Sequence, residues 1–185
     1  MRMPREPVWS WIETPIGDGL IVVGPHGAVR AAFSRPDGTG MPSEESVLVE
    51  AGARLGAPPA HDPAALAEIA QRIEAWFDGG LRDLGVPVDL GDAEGFRRAV
   101  WERIAQIPYG QTLPYGRLAA AAGRPRAARA AGTLCSEVRA PLFLPVHRVT
   151  RADGSTGEPD PRSAVRRMLI DHEQAVLTGG PSPWA

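Results

Sequence analysis

Residues 143–157, FLPVHRVTRADGSTG, contain the chain's best candidate for proton chemistry: His147, set where an apolar run passes into a polar, Gly-containing loop. An imidazole titrates near neutral pH, and an exposed turn of this kind usually carries function. The side chain just before it is that of Val146, a branched hydrocarbon that can neither attack nor transfer a proton. Cys135 is the only cysteine, which excludes an internal disulfide and a cysteine-rich zinc site. His26, His61, His147 and His172 are scattered without ligand spacing, so no metal and no cofactor are expected. In RPRAARAAG, small alanines allow close approach to a nucleic-acid groove, and Arg126 and Arg129 could reach phosphate or bases. On residue types alone such arginines are more often a solvated helix face. A His172-Glu173 pair on a helix is, by the same standard, usually surface.

The elements that must position these residues fall into two halves. VWSWIETP, GLIVVGP and GAVRAAFS read as short strands separated by Gly- and Pro-containing turns, the pattern of an antiparallel meander. A polar Pro/Gly stretch follows. Next comes DPAALAEIAQRIEAWFDGG, whose Leu66, Ile69, Ile73 and Trp76 recur at helical spacing, opened by Asp62 and Pro63 and closed by Gly79 and Gly80. That helix is expected to cover the sheet. LRDLGVPVDLGD is a punctuated connection, which places a domain boundary near residue 92. The second half predicts helices over AEGFRRAVWERIAQI, PYGRLAAAAG, RPRAARAAGTLCSEV and SAVRRMLIDHEQAVL. Two of these are short and joined by a tight Gly turn, which suggests a helix-turn-helix.

Composition bounds the reading. A chain of 185 residues that is 43% hydrophobic and 23% charged is ordinary for a globular protein. No apolar run approaches the roughly 20 residues of a membrane span, and the first residues lack the core of a signal peptide, so the expectation is a cytoplasmic protein. Residues 1–92 hold 7 Arg against 14 acids, a net −7, whereas residues 93–185 hold 13 Arg against 8 acids, a net +5. The basic half is where a polyanion would bind. Every basic residue is Arg, which suits bidentate phosphate contacts and base stacking. A GC-rich codon bias would leave the same excess.

Taken in order, FRRAVWERIAQIPYGQTLPYGRLAAAAGRPRAARAAG, LPVHRV and DHE resemble the O6-alkylguanine-DNA alkyltransferases, suicide proteins that remove alkyl groups from guanine. The resemblance extends over most of the chain, including TPIGDGL and AWFDGG. It implies an α/β, RNase H-like domain over residues 1–91, with a small antiparallel sheet and a helix. It also implies a mainly helical, winged-helix-like DNA-binding domain over residues 92–185. The family motif is Pro-Cys-His-Arg-Val, so Val146 stands where the nucleophilic cysteine belongs, while His147 and Glu173 match the pair that activates it. By the same resemblance Arg129 is the finger that fills the gap left by a flipped base, and Tyr115 acts on the neighbouring phosphate. Arg126 lies beside them, and Ala127, Ala128, Ala131 and Gly132 let the helix approach the minor groove. Two further departures follow from the resemblance: Val138 stands where the family has a hinge asparagine before the active-site strand, and Pro159-Asp160-Pro161-Arg162 replaces the Tyr-Ser-Gly-Gly loop that lines, with position 146, the guanine pocket. Pro159 has no N–H and an ionised Asp160 only accepts hydrogen bonds, whereas guanine O6 wants donors; Arg162 could restore one.

The leading reading is therefore a DNA-binding, alkyltransferase-like protein that recognises alkylated bases and does not transfer the alkyl group. It would work as a monomer on double-stranded DNA, handing lesions to other DNA-repair proteins. An alternative is altered chemistry in the same pocket, a glycosylase-type hydrolysis with Glu158, Asp160 and His147 activating water. A third is an inactivated copy, which would neither bind nor react.

Overall fold

The computed structural model describes residues 1–34, 41–156 and 161–184, and for residues 161–163 the backbone only. The chain divides into two compact units, Met1–Gly91 and Asp92–Ala185. Among the described residues no helix is long and apolar enough to cross a membrane.

In the first unit the strands β1 (Val8–Ile12), β2 (Gly19–Gly24) and β3 (Gly27–Phe33) form the expected meander, with Val8 opposite Val23 and Gly19 opposite Phe33. The sheet is nevertheless mixed rather than antiparallel. A two-residue strand β4 (Ala60–His61) adds to the free edge of β1 in parallel, giving the order β3-β2-β1-β4. The reason is a helix where the sequence suggests only a polar Pro/Gly stretch. Helix α1 (Glu44–Leu55) carries the chain from one sheet edge to the other, and a crossover of that kind delivers a parallel strand.

Helix α1 has its own signals. Ser43 caps it, its Oγ accepting the Ser46 N–H at 3.2 Å; Glu44 and Glu45 complement the helix dipole, and Gly56 ends it at φ 73°. They are hard to see because the buried stripe is narrow, Val47 and Ala51. These pack on Leu20, Val22, Val29 and Ala32. Helix α1 thus covers that face of the sheet, a task the sequence reading gave to α2 (Ala67–Phe77). Helix α2 buries Ile69, Ile73, Trp76 and Phe77. It begins at Ala67, later than Asp62 and Pro63 suggest, because a turn closed by the Ala65 N–H on Asp62 Oδ1 (3.0 Å) precedes it. Strand β2 is buried at all six positions, which explains why it reads as a continuous apolar run rather than an alternation. The segment before residue 92 returns to the sheet: Ala28 N–H donates to the Pro87 carbonyl at 2.8 Å, and a Cβ on Gly27, at φ 125°, would stand 2.1 Å from that oxygen. Only glycine fits there.

The second unit contains α3 (Gly95–Ala105), α4 (Tyr115–Ala121), α5 (Ala128–Ser136) and α6 (Pro161–Thr178), with the two-residue strands β5 (Leu113–Pro114) and β6 (Val149–Thr150) paired in parallel. Val100, Trp101 and Ile104 of α3, Leu118 and Ala119 of α4, and Ala131 and Cys135 of α5 are buried. Trp101 adds a polar tie, its indole N–H donating to the Leu134 carbonyl at 2.9 Å. Helix α5 starts four residues later than its Ala/Arg pattern suggests. Residues 124–127 form a turn closed by the Ala127 N–H on the Arg124 carbonyl at 3.0 Å. Pro125 explains this, since it disfavours a helical conformation at Arg124 and suits the second position of a turn. Arg126 therefore lies on the turn between α4 and α5, and not on the helix.

Candidate functional site

Between α5 and β6 the chain runs almost wholly buried: residues 142–150 are in the interior except Val146, which is half-exposed. Leu142 adopts φ 75°, the one non-glycine residue with positive φ among those described. That left-handed kink turns the backbone into the short 3-10 turn Val146–Arg148, which presents the valine outward and His147 and Arg148 inward.

His147 is 2% exposed, and its Nε2 lies 2.8 Å from Oε1 of Glu173, itself 1% exposed. Arg148 reaches the same carboxylate from the other side. Its Nε donates to both oxygens at 3.0 and 3.1 Å, its Nη2 donates to Oε1 at 2.9 Å, and its Nη1 donates to the Ile107 carbonyl at 2.7 Å. The Gly110 N–H completes the set, donating to Oε2 at 2.7 Å. One carboxylate thus ties together α6, the 3-10 turn and the loop after α3. Gly110 sits at φ 72°, a left-handed conformation that glycine adopts without strain. The expectation that His172 and Glu173 lie on the surface fails. Both are buried, His172 beneath the Trp184 ring at a centroid separation of 4.3 Å.

Burial pushes the His147 imidazole below its ordinary value. The Glu173 hydrogen bond and charge oppose that, while the charges of Arg148 and Arg166 add to it. Burial alone would push the Glu173 carboxyl up, but the hydrogen bonds and charges of His147 and Arg148 together outweigh it and hold it below its ordinary value. The resulting state is a neutral imidazole donating Nε2–H to a carboxylate that Arg148 neutralises. Both shifts make acid destabilising. Below the unfolded value of 6.5 the unfolded chain takes up a proton that folded His147 refuses, so stability falls as pH drops through that point. Glu173 adds a second loss below 4.5, as pH falls toward its depressed folded value. Urea midpoints measured from pH 8 to pH 4 should therefore fall on acidification, and His147→Gln should flatten the upper part of the curve. A midpoint that rises on acidification would contradict this assignment.

The residues expected to meet DNA lie on α4 and α5. Tyr115 opens α4 and is half-buried; its ring lies beside Gly132, where a Cβ would meet Cδ1 and Cε1 at 3.8 Å. Arg126 and Arg129 are exposed, and Ala127 and Ala128 are half-buried. Arg124, Pro125, Arg126 and Ala127 line an open hollow at the start of α5. Ala131 is a correction. It is fully buried on the inner face of α5, where its small side chain serves helix packing and cannot approach a groove. Val138 is half-buried just beyond α5. Glu158, Pro159 and Asp160 lie outside the described residues; Pro161 and Arg162 belong to the first turn of α6, and the Arg162 side chain is not described. Two of the three residues of the hydrolytic alternative, Glu158 and Asp160, thus lie outside the described residues. Cys135 is buried, and desolvation pushes its thiol up to about 12, with the Arg166 charge opposing only in part. Sequence reasoning missed Arg148, Gly110 and Arg166. Arg148 carried a signal, as part of the His-Arg-Val motif, whereas Arg166 sits in an Arg-Arg pair that looks like a solvated helix face.

A family model described as the DNA-binding domain of 6-O-methylguanine DNA methyltransferase matches residues 95–175. The methylated-DNA–protein-cysteine methyltransferase of Mycobacterium leprae is 36% identical over 143 residues, covering 77% of this chain and 78% of that protein. The chain belongs to this methyltransferase family. Two solved members extend the likeness to the fold. The O6-methylguanine methyltransferase of Mycobacterium tuberculosis aligns with a TM-score of 0.73 at 27% identity, covering 91% of this chain and 93% of that one. A structure described as Mycobacterium tuberculosis OGT in complex with DNA gives 0.74 at 25% identity, covering 94% and 95%. Membership covers both units, and the two-part α/β architecture with a small mixed sheet is that of the family.

Proposed function

We propose that this protein is a DNA-binding member of the methyltransferase family that recognises alkylated guanine in duplex DNA without accepting the alkyl group. The single observation that carries the reading is Val146. It is the half-exposed residue of an otherwise buried segment, backed by the His147-Glu173 pair, and its side chain has no lone pair to attack an alkyl carbon. On this proposal the first unit is RNase H-like and the second winged-helix-like. This reading is supported by the mixed sheet with its crossover helix and by the α4–α5 pair followed by β6. Binding to DNA is supported by the complex of the Mycobacterium tuberculosis relative and by the net +5 of residues 93–185. A role in DNA repair, passing the lesion to a partner, follows from the same reading.

The contacts divide by function. Exposed Arg126 meets phosphate, Tyr115 meets the phosphate beside the target, and Arg129 enters the base stack and fills the vacated space. Ala127, Ala128 and Gly132 keep the helix face low. The test compares matched duplexes, unmodified and O6-alkylated, in a binding series over salt. Affinity should fall as salt rises, because neutralised phosphates release counterions. Arg129→Ala should weaken binding to alkylated DNA by about 1–3 kcal/mol, on the scale of stacking side chains. Arg129→Lys should not rescue it, since an ammonium has no planar surface. Fluorescence of 2-aminopurine beside the target should rise with wild type and stay low with both variants. Identical rises and affinities for all three proteins would overturn the wedge, and no preference for alkylated DNA would overturn the lesion reading.

A further inference from the structure

Arg166 of α6 is half-buried and holds three acceptors from three parts of the second unit. Its Nη1 donates to the Thr156 carbonyl at 3.2 Å, and its Nη2 donates to the Val149 carbonyl of β6 and to the Tyr115 hydroxyl at 3.4 Å. The two carbonyls fix the guanidinium independently of the phenol, so its direction does not depend on whether Tyr115 is occupied by a ligand. Gly132 of α5 lies beside the Tyr115 ring, where an added Cβ would just reach ordinary contact at 3.8 Å.

A phenolic hydrogen lies in the ring plane and has two positions there, one on each side of the oxygen. An Arg N–H directed at the oxygen occupies one side and is repelled by a hydrogen placed there. The hydroxyl hydrogen is therefore driven to the opposite side, away from α6. The donated bond also polarises the phenol and strengthens it as a donor. The Nη2 group can give nothing further outward, because Val149 and Tyr115 take its hydrogens. Whatever Tyr115 meets, it meets as a donor in one direction, which suits an acceptor oxygen such as that of a backbone phosphate.

We propose that Arg166 is a positioning residue for DNA binding, acting through Tyr115: it orients the phenolic hydrogen toward a phosphate oxygen of the bound strand. This rests on the proposed DNA-binding function and assigns a role to a residue outside the DNA-facing helices. A purely structural Arg166, stapling α6 to β6, would leave the phenol's donor direction unset and would affect binding only through stability.

The test uses the full chain in a double-substitution cycle with Arg166→Met and Tyr115→Phe, and an alkylated duplex as the probe. Arg166→Met should weaken binding about tenfold when Tyr115 is present, the scale of one charge-assisted hydrogen bond, and less than about twofold in the Tyr115→Phe background. Arg166→Lys, which keeps the charge and one directed donor, should recover part of the loss. Thermal midpoints taken in parallel should show every variant folded at the temperature of the binding series, and the shift on Arg166→Met should differ between the two backgrounds by no more than one hydrogen bond. In the free protein, the Tyr115 ¹³Cζ resonance should move on Arg166→Met, a readout that needs no DNA. An unmoved resonance, or equal affinity losses with and without the phenol, would overturn the proposal. Wild-type protein that binds no duplex would overturn the DNA reading and this role with it, and that failure would be distinguishable because the resonance would still move.

Discussion

After incubation with a duplex containing O6-methylguanine, the intact chain is expected to keep its mass. Transfer needs a thiolate held at the alkyl carbon. Val146 offers only methyl groups, and Cys135 is buried with its thiol pushed up to about 12. At pH 7 a thiol of that kind stays protonated. A stoichiometric methyl adduct seen by mass spectrometry, on Cys135 or elsewhere, would sink the non-transferring reading outright. Val146→Cys supplies the complementary arm. The new thiol would stand beside His147, whose neutral imidazole is the form able to take a proton from it. Methyl transfer should therefore appear, but slowly, because Val138 and the segment 159–162 still depart from the family pattern. Transfer as fast as that of an ordinary family member would show that those departures leave the pocket intact.

Glu173→Ala is expected to destabilise the second unit by about 3–5 kcal/mol, the cost of breaking a buried ion pair by removing one partner. Among the described residues, the substitution would leave the Arg148 guanidinium with the Ile107 carbonyl and the face of the Tyr109 ring, and remove the acceptor of the Gly110 N–H and the His147 Nε2–H. Glu173→Gln keeps the shape and one acceptor oxygen but loses the charge, so a smaller loss of about 1–3 kcal/mol is expected. Urea unfolding followed by amide hydrogen exchange in residues 92–185 would measure both. If Glu173 served only to activate a nucleophile, Glu173→Ala would leave stability within about 1 kcal/mol of wild type, the range of dispensable surface pairs. The outcome bears on why the pair persists beside a valine: a carboxylate that ties α6 to the 3-10 turn and to the loop after α3 is needed by the fold whether or not a thiol is present.

What the sequence determined by itself was chiefly a matter of atom types and local periodicity. That Val146 cannot be a nucleophile holds in any fold, because no environment gives a hydrocarbon a lone pair. The three meander strands and the helices α2, α3, α4 and α6 were legible because their apolar spacing and their Gly, Pro and Asp boundaries are encoded within a few residues. Helix α1 was missed because its buried stripe is only Val47 and Ala51, and the late start of α5 because an Ala/Arg pattern outweighed the signal of Pro125.

Tertiary structure decided what depends on residues far apart in the chain. The parallel pairing of β4 needs the α1 crossover, which no strand pattern announces. Whether Ala131 faces a groove or the core depends on which side of α5 the rest of the unit covers. His172 and Glu173 look like a surface pair until α6 is packed, and only then does burial set the charge state of His147 and Glu173. Arg166 is the sharpest case: its neighbours in sequence mark it as a solvated arginine, and its partners, Tyr115, Val149 and Thr156, meet it only after β6 and α6 have folded against α4. Side-chain chemistry is a local property and can be read from the sequence; desolvation and hydrogen-bond partnership belong to the packed state.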